Sequence, residues 1–236
     1  MVNNMPAKGG SAPGGKLTLD QVKNNPNIKC FLKQTDLFLD AIGFTDHGQR
    51  HINIVADRAG TLAQKIGLNK NDQELSAIAG YCHDMGNFLG RTYHHYWAAL
   101  LFSQVFMEEM DGSSDLATIM QAIVTHDKNE VKIVSKVSAV LILADKSDVH
   151  RTRVRKKDIK NIKSDIHDRV NYSVTENKLS VDRGKREIIL RLKIDTNITK
   201  LLEYFEIFIN RMTYCRLAAD YLGYKFVLYI NNFKLS

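Results

Sequence analysis

"ELSAIAGYCHDMGN", residues 74 to 87, decides how the chain is read. Leu75, Ile78 and Ala79 recur at three- and four-residue spacing, which predicts a helix over about 72–85 with one buried face. Gly86 is its expected stop, with the backbone freedom of a C-terminal glycine. His83 and Asp84 stand side by side at the end of this apolar helix. A buried polar pair needs partners, because each unpaired group costs roughly 1–3 kcal/mol or more. Those partners are protein groups, water or a metal ion.

Working outward, 44% hydrophobic content supports a real core for 236 residues, read as one large domain or one with an appendage. A net charge of +7 suits anionic partners. Cys30, Cys82 and Cys215 are far apart and odd in number, so they form no metal-type spacing and point to a reducing compartment. No apolar run approaches the ~20 residues of a membrane span, and the N-terminus lacks the apolar segment of a secretory signal. The expected location is cytoplasmic, away from membranes.

Residues 1–16, "MVNNMPAKGGSAPGGK", read as a flexible tail. Pro6, Pro13 and Pro26 are the only prolines, so nothing interrupts a helical body beyond them. Helices are expected at about 28–42, 48–66, 72–85, 93–110, 114–126 and 131–150. The second has a seam at His51, Val55, Ala59, Leu62 and Ile66, and "VSAVLILAD" (137–145) makes the last one central. The character changes after residue 150. "RTRVRKKDIKNIKSDIHDR" (151–169) is basic, and "VNYSVTENKLSVD" (170–182) and "REIILRLKID" (186–195) alternate like strands around a turn at Gly184. A long helix over about 197–222 carries a seam at Leu201, Phe205, Phe208, Met212, Cys215, Ala219 and Leu222, read as core or a homodimer contact. "KFVLYINNF" (225–233) reads as a last strand. The expected class is mainly α, with a helical domain over 17–155 followed by a basic linker and a small α+β appendage over 156–236.

Six of eight histidines fall between positions 47 and 126: His47, His51, His83, His94, His95 and His126. They sit on apolar faces or at helix ends, and Asp145 interrupts the apolar "VLILADKSD". One buried histidine is ordinarily a satisfied core residue. Several, joined by aspartates on successive apolar helices, share an explanation in one or two divalent ions at the centre of a bundle. Imidazole and carboxylate donors suit Fe, Mn, Ni, Co or Zn, and a carboxylate can bridge two ions.

The order of His51 in "H-x3-V-A" (51–56), the doublet in "GYCHDMGN" and Asp145 in "LILADKSD" resembles the HD-domain metal-dependent phosphohydrolase superfamily. The resemblance covers about residues 44–155. It implies an all-helical core, a metal centre of one or two ions and hydrolysis of a phosphate ester or anhydride. Carried over to this chain, it makes His51, His83, Asp84 and Asp145 the first ligand set. It extends that set with His94, in "HHYWAA", and His126, in "AIVTHD". His95 is the alternative to His94, because neighbouring helical residues point about 100° apart. Two known branches fit poorly. His126 is followed by "DKNEVKI", without the Gly-Tyr-Pro segment of the cyclic-di-GMP phosphodiesterases. The Glu108–Glu109 pair lacks the setting found in guanosine tetraphosphate hydrolases.

The expected activity is therefore metal-assisted hydrolysis of a small phosphorylated substrate, a nucleotide or related molecule. Asp84 orients or deprotonates the attacking water, and His47, one turn before His51, faces the same cavity. Lys146, Arg151, Arg153 and, more weakly, Lys128 are candidates for the substrate phosphate, set against their reading as a solvated basic helix end. An HD-type di-iron oxygenase would use the same ligands, and a non-catalytic ligand-sensing module would use the basic segment and appendage. Nucleic acid is not the expected primary partner, since no aromatics interleave "RTRVRKK".

Overall fold

The computed structural model describes residues 16–110, 113–127 and 132–235. Thr18 caps α1 (Leu19–Asn24) in a reciprocal capping box with Gln21. Asn25 caps α2 (Pro26–Ala41), whose first residue is proline. The missing N–H of Pro26 therefore costs nothing, and the helix begins before the expected residue 28. The short α1 was not anticipated. Residues 1–15 of the expected tail lie outside the described residues.

α3 (Gln49–Lys65) and α4 (Lys70–Cys82) are antiparallel neighbours. Val55, Ala56, Ala59, Leu62 and Ala63 of α3 are buried with Leu75, Ile78 and Ala79 of α4. Gly80 lets the two backbones meet, since a Cβ there would stand 3.0 Å from Ala56 Cα. α5 (His94–Phe106) and α6 (Ser114–Thr125) form the next layer. α7 (Lys136–Lys146) is buried along almost its whole surface. It is shorter than the expected 131–150 because Ser135 caps it, accepting from Ser138 N–H, while residues 132–134 stay outside the helix. α5 likewise ends at Phe106, short of residue 110, in a turn over 107–109.

The basic stretch is folded rather than an extended linker. It forms a 3-10 turn at Arg151–Arg153, then α8 (Ile159–Ser164) and α9 (Ile166–Ser173). Asp165 caps α9 by accepting from Asp168 N–H, which draws Val170–Ser173 into helix instead of the expected strand. β1 (Val174–Asp182) and β2 (Glu187–Ile194) pair as an antiparallel hairpin. α10 (Leu201–Tyr221) then crosses over to β3 (Lys225–Ile230), which pairs parallel to β2. β3 turns at Asn231 and Asn232, both at positive φ, into the short β4 (Phe233–Lys234). The sheet order is β1-β2-β3-β4.

The fold is thus mainly helical with a small C-terminal α+β part, as expected. α10 packs on α7, and one apolar core runs from Val55 and Leu143 through Phe208 and Cys215 to Ile188 and Leu190. Along α10, Tyr204, Phe208, Met212, Cys215, Ala218 and Ala219 are buried, whereas Leu201 of the expected seam is exposed. Among the described residues no helix is long and apolar enough to cross a membrane.

Candidate metal centre

Five elements bring their ends to one place. His51 lies in the first turn of α3, His83 and Asp84 follow the last residue of α4, and His94 opens α5. His126 closes α6, and Asp145 is the penultimate residue of α7. All six are buried. Gly86 acts differently from the expectation. Its φ of −83° is ordinary right-handed backbone, so no left-handed freedom is used. Its role is proximity: a Cβ would stand 2.5 Å from Ala98 N and closer still to the carbonyl oxygen of His94. The missing side chain lets α5 approach the doublet and carry His94 to it.

The donor atoms fall into two sets that share Asp84. In the first, His51 Nε2 is 3.3 Å from His83 Nε2, 3.4 Å from Asp145 Oδ1 and 3.7 Å from Asp84 Oδ2. His83 Nε2 is 3.4 Å from Asp84 Oδ2 and 3.7 Å from Asp145 Oδ1. In the second, His94 Nε2 is 3.2 Å from Asp84 Oδ1 and 3.3 Å from His126 Nε2. His126 Nε2 is 3.8 Å from the same Oδ1, and Asp127 Oδ2 is 3.7 Å from His94 Nε2. Bonds of ~2.0–2.2 Å to one ion place its ligands about 3–3.5 Å apart, so these spacings match a coordination shell.

The outer ring nitrogens decide what faces inward. His51 Nδ1 lies 2.8 Å from Asp148 Oδ2, and His83 Nδ1 lies 2.8 Å from Gly80 O. His94 Nδ1 is 2.8 Å from Arg91 O, and His126 Nδ1 is 2.5 Å from Ile123 O. Each of those oxygens is an acceptor, so each Nδ1 carries the proton and donates. Four Nε2 atoms therefore converge on each other and on carboxylate oxygens, and each presents a lone pair inward when its imidazole is neutral. A cation satisfies that arrangement, and fixing the tautomer from outside is how ligating histidines are held. Burial disfavours ionised carboxylates, yet His83, His126 and His94 hold Asp84 well below the ordinary range. For Asp145, Lys146 and His51 outweigh burial in the same sense.

Beside the donors lies a cavity of about 230 Å³. His47, Arg91, Lys146 and Arg153 line it from the helical body, and Asn210, Arg211 and Tyr214 of α10 line it from the other side. His47 has both ring nitrogens engaged, Nδ1 on Thr45 O at 2.8 Å and Nε2 with Arg153 Nη2 at 3.0 Å. Burial, reinforced by Arg153, pushes its pKa well below the ordinary imidazole value, so it is neutral. Lys146 donates to Asp127 Oδ1 at 2.8 Å and sits 3.0 Å from Asp145 Oδ2. Arg153 is buried, with Nη1 donating to Asp148 O at 2.6 Å. Arg151 instead stacks on Tyr172, 5.1 Å from the ring centre, and does not line the cavity. Lys128 lies outside the described residues. His95 is buried next to His94 and can form a donor group with it and Asp127. It is His94 whose Nε2 meets Asp84 and His126.

Several participants escaped the sequence reading, among them Arg91 and Asp127 of the cavity wall, Asp148 and Arg211. Asp148 accepts from His51 and from Arg50 Nη1 at 3.0 Å. It lies three residues after Asp145, a spacing that could have flagged it. Arg211 comes from the far end of the chain; its one local signal is its place between Phe208 and Cys215 on the apolar face of its helix.

These observations define a helical protein with a buried His/Asp cluster that can hold a metal ion. No family model matches the chain. It is similar to the uncharacterized protein MJ1020 of Methanocaldococcus jannaschii, 22% identical over 162 residues that cover 59% of this chain and 62% of that protein. The chain thus spans less than two thirds of the length of this relative.

Proposed function

We propose that the protein is a metal-dependent phosphohydrolase of HD type, acting on a phosphate ester or anhydride of a small molecule. The observation that carries the reading is Asp84, whose Oδ2 faces His51 and His83 while Oδ1 faces His94 and His126. With Asp84 so placed, His51, His83 and Asp145 would hold one ion, and His94 and His126 would hold a second. The ordered residues that resemble the HD superfamily are these same donors.

Bound divalent ions supply Lewis acidity and lower the pKa of a coordinated water, which is the chemistry phosphoester hydrolysis needs. The chain's own groups do the rest. Asp84 and Asp145 enter as carboxylates, Lys146 fixes Asp145 and Asp127, and Arg91 and Arg153 add positive charge to the wall. That field favours an anion in the cavity and a developing negative charge on its phosphoryl oxygens.

The test is a screen of nucleotides, phosphomonoesters and phosphodiesters against protein loaded separately with Mn, Fe, Ni, Co or Zn. Metal content and oxygen uptake are measured alongside. Phosphate release that depends on metal and is lost in Asp84→Asn is the expected result. Oxygen consumption without phosphate release would assign the centre to oxygenase chemistry instead.

A further inference from the structure

Four cationic side chains line the cavity, and three are already used by the protein. Arg91 Nη1 donates to Asn87 Oδ1 at 2.8 Å. Lys146 is held between Asp127 and Asp145. Arg153 serves Asp148 O and His47. Arg211 is the exception. Its guanidinium rests on the Phe208 ring, 4.7 Å from the centroid, and among the described residues it makes no ion pair or hydrogen bond. Asp145 and Asp127 act on it only at longer range, and burial lowers its pKa. Arg211 is half-buried, so its guanidinium keeps some solvent, and an anion in the cavity would give its donors the partner that the protein does not supply. Asn210, the preceding residue, lines the same wall.

We propose that Arg211 is the receptor for the substrate phosphate, and that the substrate is a compact phosphomonoester; this rests on the phosphohydrolase reading. The cavity, at about 230 Å³, is smaller than the ~300–1,000 Å³ usual for ligand pockets, so only the reacting end of a substrate is enclosed. A terminal phosphate has three non-bridging oxygens. It can face the metal centre and still offer oxygens to the Arg211 fork. A diester has two, and its second ester arm would need room in the same enclosed space. Recognition then comes from α10, in the C-terminal part, while the helical body supplies the metal ligands.

The test uses the full, metal-loaded chain with inorganic phosphate as the probe. Arg211→Gln and Arg211→Lys are compared with Arg216→Gln, which alters an exposed arginine of the same helix paired to Asp220 at 3.4 Å. Arg211→Gln should keep its metal and weaken phosphate binding in calorimetry by roughly 10- to 100-fold, the loss of one or two charge-assisted hydrogen bonds. Arg211→Lys should fall between, and Arg216→Gln should match the wild type. KM for p-nitrophenyl phosphate should rise in the same order. If Arg211→Gln does not fold, as judged by circular dichroism, the lysine variant carries the comparison. Phosphate binding unchanged in the folded Arg211 variants overturns the receptor, while wild-type phosphate release keeps the hydrolase reading. Arg211-dependent phosphate binding by a wild type that cleaves no phosphoester does the reverse. Faster turnover of bis(p-nitrophenyl) phosphate than of the monoester overturns the substrate class.

Discussion

Asp148 Oδ2 lies 2.8 Å from His51 Nδ1, so a carboxylate outside the donor cluster determines which nitrogen of His51 faces it. Burial opposes its charge, but His51 and Arg153 hold its pKa well below the ordinary range. Asp148→Asn should lower metal affinity roughly 10- to 100-fold while leaving the donor set in place. Chelator competition measures this, and unchanged affinity would show that packing alone orients His51.

Asp84 joins both donor sets, whereas His126 belongs to one. Asp84→Asn should therefore lose metal from both sets and all hydrolysis, with the helical circular-dichroism spectrum retained. His126→Ala should lose only the ion of its own set. Elemental analysis of the two variants side by side separates them, and equal metal loss in both would contradict a shared aspartate.

Gly86→Ala places a methyl group against the backbone of α5. The overlap should cost about 1–3 kcal/mol, with Tm falling by roughly 2–4 °C per kcal/mol. Because the strain falls on His94 and Ala98, metal content should drop too. A stable variant with full metal would mean that α5 can shift freely.

Acid should destabilise the metal-free protein. Burial lowers the pKa of His126 to about 4 and, with Arg153, that of His47 well below 6.5. Both stay neutral when folded, while the unfolded chain takes up protons below about pH 6.5. The stability they confer is present above that pH and lost as pH falls towards the folded values. His83 acts in the opposite sense: burial would lower its pKa, but Asp84 and Asp145 raise it, so its contribution fades as pH rises through the folded value. With two groups against one, Tm in excess chelator should fall between pH 7 and pH 5. A flat or rising Tm would contradict the assigned protonation states.

The helical body was legible because its signals are local. Leu75, Ile78 and Ala79 mark a buried face, and the donors His51, His83, Asp84, His94, His126 and Asp145 stand out as polar groups on apolar helices. Helix ends were less so, since Ser135 and Asp165 set them through single hydrogen bonds that periodicity does not register. Arg153 read as either a phosphate contact or a solvated end of a basic run, and it is buried because Asp148 O, Asp46 O and His47 all accept from it. Those partners lie on two segments about a hundred residues apart, and no short window contains them both. Asn210 lies off the buried face of α10, whereas Arg211 stands three residues after Phe208 and four before Cys215, on that face, and only the packing of α10 on α7 reveals the cavity they meet.

The crossover helix also bears on the order in which the protein matures. Every donor of the two sets has left the ribosome once Asp148 has, but the wall formed by Ile207, Asn210, Arg211 and Tyr214 arrives later. Chains fold from the N-terminal side as they are made, so ions can reach an open cleft before α10 docks. The sheet then secures that helix at both ends, through β2 before it and β3 after it. An ion bound before α10 docks would template the surface on which that helix settles.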